Sequence, residues 1–290
     1  MAGVAQIILL VLIVVAYVIG GAMTLARARA GLRQLKEHKA PATDAIASRH
    51  VSAAPASLTL LTLGLMLSVI LLVWHTLSTN PQQPMQDSFS AMLGLAILLA
   101  GFVTYIQWTR PIAALEWFAM PVVIVLLLMA GHFGEATPQT YVPNAYSLVH
   151  RVTTLLGAVG FAIAAVCGAM YLHSARSLRR KRLEVVTTFS SLERLENLTN
   201  RAVTLGFAFF TVGCLAGLAW AFQPDDNTRM GQHWVSVLLA GAVWFVYAII
   251  LHTPIAPRLR GRRNARLSVV GFILMLAAIF AVLMMPQRGG

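Results

Sequence analysis

Along this chain apolar positions neither alternate with polar ones nor recur every three to four residues. They come in unbroken runs of about 20, separated by short charged segments. A helix needs roughly 20 apolar residues to cross the hydrocarbon core of a bilayer, and lipid offers no partner to an unpaired backbone group, so such runs predict membrane-crossing helices. Eight are present: Val4 to Leu25, Ser57 to Thr76, Ser88 to Trp108, Ile112 to Gly131, Ser147 to Leu172, Ala202 to Phe222, His233 to Thr253 and Leu267 to Met285. The first lacks a basic segment before its apolar run, and its positive charges follow it, so it is expected to be retained as a span and not removed as a signal peptide. The predicted fold is an all-α polytopic membrane helix bundle forming one integral membrane domain over residues 1–290.

The connections differ in charge. Arg27, Arg29, Arg33, Lys36, Lys39 and Arg49 fill the first, Arg176, Arg179, Arg180, Lys181, Arg182 and Arg194 the fifth, and Arg258, Arg260, Arg262, Arg263 and Arg266 the seventh. The second, fourth and sixth hold Asp87, Glu135, Asp225 and Asp226 with one clear base, Arg229. Positive charge is retained on the cytoplasmic side, which predicts odd connections inside, both termini outside, and residence in the cell's inner (cytoplasmic) membrane. Trp74, Trp220 and Trp234 then mark outer helix ends, and Trp108 and Trp117 inner ends. The first connection, which contains Pro41, reads as a cytoplasmic linker, and Glu184 to Asn200 as an interfacial helix leading into the sixth span.

Composition narrows the chemistry. Hydrophobic residues make up 58% of the 290 and charged residues only 11%, far too apolar a balance for a soluble domain. The net charge of +12 sits in the interspan segments and not on a groove or arm, so it argues for topology and against nucleic acid. Cys167 and Cys214 each lie within an apolar run, which excludes a disulfide framework, a zinc spacing or a redox pair and leaves two packing residues. With few acids, a hard-metal or two-carboxylate hydrolytic site has no material.

Histidine is the informative residue. His75, His132, His150 and His233 fall at predicted outer helix ends, and His173 and His252 at inner ends; His38 and His50 lie in the basic linker. A helix-end histidine is often only an interfacial polar group. Four on four different spans can nevertheless converge, and a neutral imidazole suits haem iron in an apolar setting. His150 and His173 are 23 residues apart, about 34 Å along a helix, so they cannot share one iron. Arg151 could meet an anionic propionate or simply snorkel to the interface. Glu116, the one acid well inside a run, is a functional candidate by default and is also placed to snorkel; Pro121 in the same span is a potential kink.

Three stretches carry a resemblance to membrane cytochrome c assembly proteins of the CcsA and HemX type. The first runs from His150 to "AMYLHSARSLRRKR", the second is "SLERLENLTNRAVTLGFAFFTVGCLAGLAWAF", and the third is "WFVYAIILH" (Trp244 to His252) followed by "GRRNARLSVVGF". Together they cover residues 147–275; the first four spans match only in number and hydrophobicity. The resemblance implies an eight-span protein that handles haem, with His150 in the place of an outer haem-serving histidine and His252 in that of the histidine serving a membrane-embedded haem. These two are the implied metal ligands, with His173 the one inner partner for His252. The chain departs from the family at its tryptophan-rich loop, where "RMGQHWVSV" keeps Gly231 and Trp234 but not the other tryptophans or the aspartate, and at the last outer histidine, for the sequence ends "LMMPQRGG". His233 is a substitute ligand within that loop.

These features lead to one expectation and one rival. The expectation is a haem-binding or haem-presenting membrane protein of cytochrome c maturation, with His150, His252, His233, Trp234, Arg151 and His173 as its cofactor-binding residues. Its partners would be haem, other maturation membrane proteins and the lipid bilayer, with no catalytic residue of its own. The rival is a HemX-like regulatory or scaffolding protein that binds no haem and contacts tetrapyrrole-pathway enzymes. A secondary transporter would need inverted repeats and broken helix pairs, which the sequence does not display. Two geometric expectations follow: His150 lies close to another outer histidine, and His252 faces the bundle interior.

Overall fold

The computed structural model describes residues 2–37, 55–79, 87–109, 112, 115–133, 145–179, 191–222, 227–252 and 261–284. Its regular elements are helices: α1 (Ala2–Glu37), α2 (Pro55–Thr79), α3 (Ser88–Thr109), α4 (Leu115–Phe133), α5 (Ala145–Arg179), α6 (Leu192–Ala221), α7 (Asn227–Leu251) and α8 (Arg262–Met284). All eight are long and apolar enough to cross a membrane. The all-α, eight-span expectation holds, and the chain is a multi-pass membrane protein. The linker around Pro41 and the loops around Pro81, Pro138 and Asp225 lie outside the described residues, as do His38 and His50.

Several helices run past the apolar limits. α1 continues to Glu37 through the first basic cluster, α5 to Arg179, and α6 starts at Leu192. The interfacial helix expected before the sixth span is therefore, from Leu192 on, the first turns of α6 itself. Ser191 caps it, its Oγ accepting the Arg194 amide at 3.3 Å; a hydroxyl before the first turn satisfies an amide that has no intrahelical partner.

The helices gather into two compact units, Met1–Thr137 with Leu172–Arg194, and Pro138–Tyr171 with Leu195–Gly290. In the first unit α1 packs on α2 and α4, α2 on α3, and α3 on α4, closing a ring of four. Its interior is built from Ile13, Tyr17, Leu61, Leu71, Leu93, Leu99, Val123 and Leu126, all essentially inaccessible. Glu116 is buried in the first turn of α4, where the positive end of the helix dipole favours a carboxylate; it does not snorkel. α4 remains helical through Pro121.

The second unit is held differently. Lipid tails are as apolar as leucine, so association inside a membrane depends on close packing, which small residues permit. α5 and α6 meet through glycine: a Cβ at Gly160 would lie 2.7 Å from the Gly206 Cα, and one at Gly157 3.0 Å from the Gly206 carbonyl oxygen. Beyond this contact Phe161 stacks on Tyr247 of α7, ring centroids 3.4 Å apart and 8° from parallel, with Phe210 edge-on at 5.4 Å. Trp244 of α7 donates its indole N–H to Thr211 Oγ1 on α6 at 3.0 Å.

At the arginine-rich end of this unit Asn264 donates to Asn200 Oδ1 at 2.7 Å, and the Gly261 amide donates to Glu196 Oε1 at 3.2 Å. Gly261 adopts φ 68°, a left-handed conformation that glycine takes without a Cβ penalty, and the Tyr171 hydroxyl occupies the space where a Cβ would point. The three stretches that carry the family resemblance thus meet here. Ser68, Thr104, Thr199 and Ser268 inside the spans each donate to the carbonyl four residues earlier, which satisfies these hydroxyls within their own helices.

Candidate functional site

The second unit contains His150, Arg151, His233, Trp234 and His252. His150 stands in the second turn of α5, half-buried, with its Nδ1 2.7 Å from the carbonyl oxygen of Gly213 on α6. A carbonyl only accepts, so Nδ1 carries the proton. In the neutral ring Nε2 is then the lone-pair nitrogen, and among the described residues no hydrogen bond occupies it. Metal-binding histidines characteristically donate one ring N–H to a backbone carbonyl or carboxylate, which fixes the tautomer and leaves the other nitrogen for the metal. Below the ring the helix is tied locally: Thr154 donates to the His150 carbonyl and, more weakly, to that of Arg151.

His150 was expected near another outer histidine. The structure gives it a backbone carbonyl and a glycine face as neighbours. His233 falls within α7, but its side chain lies outside the described residues, as do Gly231 and the other side chains preceding Trp234 in the degenerate loop. Trp234 is exposed on α7. Arg151 follows His150 and is half-buried.

His252 corrects the sequence reading. It follows the last residue of α7 and is exposed, and its Nδ1 lies 2.7 Å from Ala248 O of its own helix. The ring therefore folds back along α7 and does not face the bundle interior. Tyr247, one and a half turns earlier, is the buried member of that motif, with its ring against Gly271 of α8. His173, its expected inner partner, belongs to the other unit, is exposed, and sets its ring edge against Phe118 of α4 at 5.7 Å.

The first unit contains a polar cluster that the sequence did not announce. His75 Nε2 lies 2.8 Å from Asp87 Oδ2, its Nδ1 lies 3.0 Å from Gln6 Nε2, and its ring packs on Phe89 with centroids 4.4 Å apart. An ionised carboxylate only accepts, so Nε2 donates to Asp87 and Nδ1 accepts from the Gln6 amide. Asp87 also caps α3, accepting from the Ser90 hydroxyl at 2.7 Å and the Ser90 amide at 3.1 Å. Burial opposes ionisation of Asp87, but the two Ser90 bonds and the His75 ring together outweigh it and hold its carboxyl below the usual value. With both nitrogens engaged, His75 is a clasp joining α1, α2 and α3 and has no lone pair to offer. Gln6 fell inside an apolar run and gave no signal of this; an aspartate just before the third span, at Asp87, was the available clue to a cap.

Comparison with known proteins narrows the reading. The family described as "Cytochrome C assembly protein" matches residues 83–288. Curated relatives include the cytochrome c biogenesis protein CcsA of Nicotiana tomentosiformis, 31% identical over 115 residues, 39% of this chain and 33% of that protein. CcsA of Synechococcus sp. (strain CC9902) is 35% identical over 96 residues, 32% and 30% of the two chains, and CcsA of Atropa belladonna 33% identical over 94 residues, 31% and 28%. The matched stretches thus span about a third of these relatives' length. No solved structure matches the chain. These names favour an assembly protein over the HemX-like regulatory alternative.

Proposed function

Because the chain belongs to the cytochrome c assembly protein family, we propose that it binds and presents haem during cytochrome c maturation, with Nε2 of His150 as the iron ligand. The observation that carries this reading is the bond from His150 Nδ1 to the Gly213 carbonyl. It sets one tautomer and makes the opposite nitrogen the ligand atom.

The residues present fit such a group. Arg151 is suited to a propionate, and the exposed Trp234 indole offers an aromatic face; His233 would supply a second imidazole. His252 keeps an outward Nε2 and would serve a separate haem, with a partner protein completing the pair. Bound haem supplies the prosthetic group that an apocytochrome takes up. Attachment itself needs reduced thiols from the apocytochrome and other maturation proteins as partners, so the chain acts as a carrier and not as the bond-forming catalyst. The charge of the connections supports residence in the inner membrane with both termini outside.

An absorption spectrum of the purified protein in detergent, before and after reduction, tests the haem reading. A Soret band with sharp reduced bands is expected, and a spectrum without them after haem is supplied would overturn it. Reporter fusions after Arg180 and at the C-terminus should report opposite compartments; the same compartment for both would refute the orientation.

A further inference from the structure

The contact between His150 and α6 involves more than one atom pair. In an α-helix the carbonyl of residue 213 points along the axis toward the amide of residue 217. Each Cα–Cβ bond tilts toward the helix N-terminus, so a side chain at 217 leans over that carbonyl and screens it from the side. Residue 217 is glycine, and the imidazole lies in the space a side chain would fill: a Cβ there would be 2.7 Å from His150 Nδ1 and 3.0 Å from Cε1. At Gly213 a Cβ would be 2.5 Å from Thr154 Cγ2 and 3.0 Å from the Thr154 amide nitrogen. That approach keeps the α5 backbone close enough for the ring of His150 to reach across. The pair Gly213 and Gly217, one turn apart on one face of α6, therefore forms a notch with a carbonyl at its floor.

We propose that Gly213 and Gly217 are positioning residues for His150: together they hold its ring in one orientation and as the Nδ1–H tautomer, so that Nε2 alone is offered to a ligand. The notch stands on the geometry of the ring and of α6. Only the identity of what Nε2 binds rests on the haem reading above.

The test uses the full chain in detergent, without haem and then with added ferric haem. In the wild-type protein, nitrogen NMR of ring-labelled histidine should find His150 as a single Nδ1–H tautomer at neutral pH. Gly217→Ala should convert that signal to mixed tautomers and remove the haem band as fully as His150→Ala does. Gly241→Ala on α7, where a new Cβ meets nothing within 4 Å, should change neither.

Should Gly217→Ala prevent folding, the double variant His150→Ala with Gly217→Ala decides, because the collision is with the imidazole. Recovery of folded protein supports the proposal, and equal damage with or without His150 overturns it by making Gly217 a helix-packing residue. A single unchanged tautomer in Gly217→Ala would overturn it as well. A wild-type protein that shows the fixed tautomer and the Gly217 effect but takes up no haem would end the haem reading while leaving the positioning role intact.

Discussion

In the first unit His75 has both ring nitrogens engaged, by Asp87 and Gln6; in the second His150 has one nitrogen tied to a carbonyl and the other open. Both stand near the end of a membrane-crossing helix, and both read alike in the sequence. The first ring is fixed between side chains, which satisfy it completely, whereas the second is fixed by a backbone carbonyl, which can accept but not donate. Packing differs in the same direction. The first unit interleaves leucines in a closed ring, while α5 and α6 in the second are brought together by glycines that expose main-chain oxygen. A side-chain clasp gives stability, and a backbone notch leaves a reactive nitrogen.

Removing the two imidazoles should separate the roles most sharply. His150→Ala is expected to abolish the absorption of the haem bound through His150, with the protein's amount in the membrane unchanged. His75→Ala should leave the absorption per molecule intact and lower the unfolding midpoint. Equal haem content in the two variants would erase the distinction between the units.

Glycine substitutions probe the packing contrast. Gly160→Ala forces a Cβ into the backbone of Gly206 and should destabilise by about 1–3 kcal/mol, the usual cost of overpacking. Gly101→Ala in the first unit meets only Leu65 at 3.9 Å and should be neutral or stabilising by up to about 1 kcal/mol through helix propensity. Chemical unfolding in mixed micelles reads both.

Asp87 sharpens the account of the clasp. Its carboxyl is held below the ordinary aspartate value of about 3.9, so the ionised group contributes stability that is fully present above that value and is lost as pH falls through the lower, folded-state one. Asp87→Asn should remove this acid dependence while keeping a capping side chain, and Asp87→Ala should in addition weaken the α3 cap by about 1 kcal/mol, both measured as the unfolding midpoint between pH 7 and pH 3. The smallest effect on the His150 site is expected at the exposed ring: His252→Ala should leave haem bound through His150 unchanged, so loss of that haem as well would place His252 in the same site.

The spans were legible because a run of apolar residues long enough to cross lipid has few other uses. Their ends were less so. Hydropathy marks the portion immersed in lipid, whereas hydrogen bonding carries α1 to Glu37 and starts α6 at Leu192, since charged residues do not break a helix. His150 was legible as a candidate, but its partner was not, since Gly213 lies 63 residues away and a backbone carbonyl has no sequence signature. The spacing of Gly213 and Gly217 was the available clue, as small residues four apart mark a face of close helix approach. His252 was misplaced because the aromatic motif before it predicts burial of its neighbours: Tyr247 is buried, but a residue at a frayed helix end can turn back onto its own carbonyls.

The 63-residue separation between His150 and Gly213 also sets an order of events during biosynthesis. Chains elongate at about 5–20 residues per second, so α5 enters the membrane roughly 3–13 seconds before the acceptor for its imidazole is synthesised. Through that interval His150 is an unsatisfied polar group that favours the lipid headgroup level over the hydrocarbon, which retains the start of α5 at the surface until α6 inserts. The contact involves no residue of α7 or α8, so its formation does not wait for the aromatic stack of Phe161 on Tyr247. A nascent chain halted after α6 should already carry the aligned imidazole.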